Sequence, residues 1–375
     1  MTDTLRRVSM IAVTGLGLCL TLLPAGPAQA QAPTRVPCND IDALKTAINK
    51  ANAGGGSIVL ASRCVYSLTA ADNADDGLPE ISGTVRISGG ERTTIQRSPG
   101  ASGGFRIFHV QQGGRLSLAS VTVRGGDASG TGAGDRGGAI YNDRGRLTLT
   151  GVTVRNNRAG FLAGGIWNNQ GTLALKDTTV HDNSSDIGGG VATSGTMTMR
   201  GGAIRGNVAG DWAGGLANAG ETRLDDASVE GNDAEEFGGG IMTLDINGQT
   251  GPLRLNSTRV TGNIASVRGG GLLIGSDEPT TLYRSTVTGN AANGGRGSGG
   301  GILNDGSQFG VILGPDSAKR KQSSGAAAQM LPKVNLIRSV VSMNTPDNCA
   351  PPNSVPHCDA VGSAPATNTT KPGRS

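Results

Sequence analysis

Three acids occupy corresponding places in the chain. Asp186, Asp211 and Glu236 follow one another at steps of 25 residues. Each precedes a large apolar residue (Ile187, Trp212 and Phe237) and then a run containing paired glycines. Stacked carboxylates are ligands for a hard cation such as Ca²⁺, and an aromatic ring beside them offers a platform for a sugar. Like charges about 5 Å apart also cost roughly 1 kcal/mol per neighbouring pair, even at water's dielectric. A bound cation, an arginine such as Arg268 one repeat later, or splaying into water would relieve that repulsion. Two readings follow. One is a solvated acidic stripe ended by Arg268. The other is a cation- or sugar-binding groove built from Asp186, Asp211, Glu236, Trp212 and Phe237.

The spacing of these residues belongs to a repeat. Its unit is Leu-x-Leu-x-x-Ser/Thr-x-Val-x-x-Asn, then a polar glycine-rich stretch, then Gly-Gly and an apolar residue. "LALKDTTVHDN" (Leu173 to Asn183) and "LRLNSTRVTGN" (Leu253 to Asn263) are examples. Gly-Gly pairs end at Gly138, Gly165, Gly190, Gly215, Gly240, Gly271 and Gly301, so the period is 25 to 31 residues. Within a unit the apolar positions lie two or three apart, which is strand spacing broken by bends. No amphipathic helix fits inside a unit, and propeller blades need roughly 40–50 residues. A parallel β-helix fits, with rungs stacked about 4.8 Å apart. The expected fold is therefore all-β, a right-handed parallel β-helix of about ten rungs with a short N-terminal capping helix. Asn157, Asn183, Asn207, Asn232, Asn263, Asn290 and Asn344 each lie three residues after the valine-type position. In a stack their amides would join rung to rung as an internal ladder rather than face a ligand.

Composition agrees with a coil of small residues. Glycine accounts for 63 of 375 residues without a collagen register, and aromatics for 3%. A net charge of +4 with no basic stripe gives no support for nucleic acid as a partner. Residues 1–30 read as a secretory signal: Arg6 and Arg7, an apolar run from Met10 to Leu23, then Ala-Gln-Ala at 28–30. No later segment is a transmembrane anchor. Beyond Cys19 in the leader, four cysteines remain, two near each end. Their spacing suggests Cys38–Cys64 and Cys349–Cys358 bridges, which fits an extracellular, secreted protein. A single domain is expected over 31–360. It would hold a cap helix at 39–53, an irregular solvated insertion at 307–333 and a disulfide cap at 345–360. A disordered tail would follow over 361–375.

"CNDIDALKTAINKANAGGGSIVLASRCVYSLT", "FRIFHVQQGGRLSLASVTVRGG" and the repeated Gly-Gly-Ile units together resemble secreted bacterial, actinobacterial-type β-helix proteins. Their repeats are of the polymorphic outer-membrane-protein kind. The resemblance covers nearly all the chain after the leader and implies fold and secretion, not an activity. The fold also hosts polysaccharide lyases and glycoside hydrolases, but fold alone does not assign function. Of the polygalacturonase motifs, only Asp225–Asp226 has a counterpart, and no histidine is flanked by glycines. No catalytic residue is identified. The primary expectation is a non-enzymatic protein that needs no cofactor, with Ca²⁺ as a candidate ion. It would present a rigid repetitive face to extracellular polysaccharide or cell-surface proteins. The alternative is a lyase or hydrolase acting along the rungs.

Overall fold

The computed structural model describes residues 32–130, 135–313, 318–323, 331 and 333–358. The expected leader (1–30) and tail (361–375) lie outside the described residues. From Pro33 onward the chain winds into a parallel β-solenoid of about ten coils. Nineteen strands form two rows that merge where one bent strand serves both, as in Thr172–His181 and Thr196–Arg205. A nine-stranded sheet runs from Phe108–Val110 to Cys349–Ala350, and a seven-stranded one from Asp127–Ala128 to Ala291–Ala292. Pairing advances by one coil at each step: Val154 opposes Val180, which opposes Ile204, which opposes Val229. These side chains are fully buried, because each stacks on its counterpart above and below.

The Gly-Gly pairs mark where neighbouring coils come closest. A Cβ on Gly214 would stand 2.5 Å from the carbonyl oxygens of both Asp233 and Gly239. One on Gly215 would meet the Gly240 carbonyl at 2.5 Å and the Asn232 amide at 2.9 Å. The pair is therefore required by contact between coils. The left-handed φ falls one residue earlier, at Gly188, Ala213, Gly238 and Gly269.

The asparagine side chains form a continuous hydrogen-bonded row. Asn157 Nδ2 donates to Asn183 Oδ1 at 2.8 Å, and Asn183 donates to Asn207 at 3.0 Å. The row continues through Asn232, Asn263, Asn290 and Asn344. Each oxygen after the first also accepts the backbone N–H of the preceding member, as Asn207 Oδ1 does from Asn183. The same amides satisfy backbone carbonyls of the preceding coil, such as Val180 O.

The helix Ile41–Gly54 closes one end. Asp40 caps it by accepting from Ala43 N at 2.9 Å, and Leu44, Ala47, Ile48 and Ala51 pack onto the first coils. Cys38–Cys64 and Cys349–Cys358 are both joined. The insertion expected to be irregular contains an antiparallel hairpin. Gln308–Leu313 pairs with Ala318–Ser323 and, on its other edge, with Asp245–Ile246. The cause is strand alternation in "QFGVIL", which buries Phe309 and Val311.

Candidate functional site at the polar end of the outer seam

Two cores run along the solenoid. One fills the coil. The other lies outside the nine-stranded sheet, between its outward side chains and the segments that precede each Gly-Gly pair. The sheet supplies Trp167, Ala192, Ala217, Met242, Leu273 and Leu303 in register. The covering segments supply Leu162, Ile187, Trp212 and Phe237, linked coil to coil by single bridges. Phe309 of the hairpin completes the cover. Its ring meets Trp212 edge-on at 5.4 Å and Phe237 at 5.3 Å.

This packing places the residues singled out in the sequence. Trp212 and Phe237 are 3% and 8% exposed, so their ring faces serve packing. Trp212 Nε1 donates to Glu236 Oε2 at 3.0 Å. Asp186, Asp211 and Glu236 stand half-buried on successive coils at the rim. Arg268, considered above as a partner for Glu236, bonds Asp305 Oδ2 at 3.0 Å and lies over the Phe237 ring. Asp225 is held by Arg223 and Asn256. With Phe309→Ala the hairpin loses its anchor. The expected result is faster tryptic cleavage at Lys319, Arg320 or Lys321 with the unfolding midpoint of the coil retained. Equal cleavage of both proteins would remove this role for Phe309.

Toward the N-terminal coils the same two columns change character. The sheet column runs Glu80, His109, Tyr141 before it reaches Trp167. The covering column runs Asp76, Arg106, Arg136 before it reaches Leu162. Here ionisable groups gather. Arg106 Nη1 bonds Asp76 Oδ1 at 2.6 Å, with both side chains 2% exposed. His109 Nδ1 lies 3.4 Å from Asp76 Oδ2 and 3.2 Å from Glu80 Oε1. Gln111 Nε2 donates to the other Glu80 oxygen. The imidazole stacks on Tyr141 with centroids 4.8 Å apart and planes 12° from parallel, and the Arg106 guanidinium lies over the same phenol. His109 Nε2 is buried and has no hydrogen-bond partner among the described residues.

The electrostatics follow from burial and pairing. Burial pushes the Asp76 carboxyl pKa up, but the hydrogen bond to His109 and the Arg106 charge outweigh it and hold Asp76 below the usual range. Asp135, on the rim, is raised by burial and by the charges of Asp186 and Asp75, against the pull of Arg136. Burial raises Tyr141, and Asp143 adds to the shift. Burial lowers Arg136.

Sequence reasoning missed this cluster. A count back from Ile140, the coil partner of Ile166, would have reached Asp135 and Arg136 at the positions that hold Asp186–Ile187 and Asp211–Trp212 later. No comparable signal marks Asp76, Glu80 or His109, because Arg106-Ile107 and not a Gly-Gly pair stands directly before the strand Phe108–Val110. Comparison with protein-family models, curated proteins and solved structures finds no match to this chain.

Proposed function

We propose that this chain is an exported saccharide-binding β-solenoid, matrix-associated or adhesin-like, that recognises neutral polysaccharide at the polar end of its outer seam. One observation carries the reading. A seam that is apolar and closed over Trp167 to Leu303 becomes polar and half-open around Glu80, His109, Asp135, Arg136 and Tyr141. A rigid surface that mixes fixed hydrogen-bond donors and acceptors suits hydroxyl-rich ligands. Carboxylates (Asp75, Asp76, Glu80, Asp135, Asp143) outnumber cations there, which favours neutral chains over uronate-rich ones. The two disulfides are compatible with export, and among the described residues no helix is long and apolar enough to cross a membrane. The resemblance of the repeats to those of actinobacterial-type proteins with polymorphic outer-membrane-protein-like repeats supports the reading as an exported protein.

Affinity electrophoresis against neutral and acidic polysaccharides tests it. Retardation by at least one neutral polymer is expected, weakened about tenfold by Tyr141→Ala in a protein that keeps its circular dichroism spectrum. Preference for acidic polymers, or binding indifferent to Tyr141→Ala, would count against it. A second reading has one observation in its favour. His109 Nδ1 faces two carboxylates, the pairing that orients a general base for a lyase or hydrolase, and this reading requires an opening that exposes the buried Nε2. New reducing ends or unsaturated products in the same mixtures, lost in His109→Gln, would select it.

A further inference from the structure

We propose that Asp76, Glu80 and His109 form a binding site for one divalent transition-metal ion, of the class of Zn²⁺. Ligand atoms of the three lie within 4.8 Å of one another. His109 Nδ1 is 3.4 and 3.2 Å from the two carboxylate oxygens. Atoms bonded to one ion at 2.0–2.2 Å stand roughly 3–3.5 Å apart, which both separations from His109 match.

The division of labour within each carboxylate is the second observation. Asp76 gives Oδ1 to Arg106 and turns Oδ2 to the shared point. Glu80 gives Oε2 to Gln111 and turns Oε1 to the same point. Stacking on Tyr141 fixes the plane of the imidazole. Each ligand is thus oriented by an outer partner, as metal sites require.

One Nδ1–H can serve one carboxylate at a time. Two carboxylate oxygens turn to one imidazole nitrogen, whereas a divalent ion bonds all three at once. One imidazole and two carboxylates suit Zn²⁺, Mn²⁺ or Fe²⁺ better than Ca²⁺, which takes oxygen ligands. Three protein ligands leave a position for water or a sugar hydroxyl. That last role rests on the saccharide reading, whereas the site itself does not.

The full chain, stripped with chelator and exchanged into buffer, is titrated with Zn²⁺ by calorimetry. Co²⁺ absorption gives a second readout. One ion per chain is expected. Glu80→Gln and His109→Gln should each weaken Kd about 100-fold or more and abolish the Co²⁺ bands, and Gln111→Ala should weaken it about tenfold. His181→Gln, outside the cluster, should match the parent. Absence of saturable binding would overturn the proposal. So would full affinity in folded His109→Gln, or loss of binding in His181→Gln. No saccharide enters the measurement, so its failure leaves the binding reading intact, and the converse also holds.

Discussion

Asn207→Ala is expected to destabilise the solenoid by about 3–5 kcal/mol. The side chain is fully buried at the middle of the row. It accepts from Asn183 N and Nδ2 at 3.1 and 3.0 Å, and donates to Val180 O and Asn232 Oδ1 at 3.1 and 3.0 Å. Alanine removes all four bonds and leaves a space too enclosed for bulk water. Each buried group left unpaired costs about 1–3 kcal/mol, and the remaining bonds of Asn183 and Asn232 keep the sum below four full penalties. The effect should spread, because each coil is stabilised mainly by its neighbours. Urea unfolding measures it, with Thr179→Ala as control. That side chain is on the outward face of a neighbouring coil, and its loss should stay within about 0.5 kcal/mol. A change at Asn207 no larger than the control would show that the row contributes little.

The second large effect belongs to the ion pair beneath His109. Arg106→Met should cost about 3–5 kcal/mol, because a carboxylate 2% exposed loses its guanidinium and stays buried. The double variant Asp76→Leu/Arg106→Met should recover much of that loss. Desolvating two charges offsets most of their attraction, so an apolar pair of similar size is nearly as stable. Unfolding in chelator separates this from any bound ion. If the double variant is as unstable as the single one, the penalty lies elsewhere, for example in the Arg106 contacts to Arg136 O and the Tyr141 ring.

The solenoid was legible in the sequence because it is a stack. Val180, Ile204 and Val229 recur at one position, and a pattern that repeats along the chain needs no long-range knowledge to be read. The asparagine row was legible for the same reason. The outer seam was not. Trp212 looked like an exposed ring because its cover, Phe309, comes from an insertion far along the chain that breaks the repeat. The polar cluster was hidden for a related reason. Asp76 meets Arg106 across 30 residues, through a coil whose sequence departs from the repeat. What varies from coil to coil is what periodicity discards, and the candidate site lies there.

The asparagine row also bears on how the molecule avoids polymerising. Every amide in it donates in the same direction, so the row has a head and a tail. At the head, Asn157 Oδ1 is filled by the backbone N–H of Gly126. At the tail, Asn344 donates to Asn348, four residues later instead of a full coil later, beside the Cys349–Cys358 bridge. Stacked amides are the same device that lets amyloid fibres recruit one chain after another. Here both ends are bonded from within the chain, so an incoming strand would have to compete with Gly126 at one end and Asn348 at the other. The amide stack is built as a finite oligomer of itself, with its termination step written into the sequence.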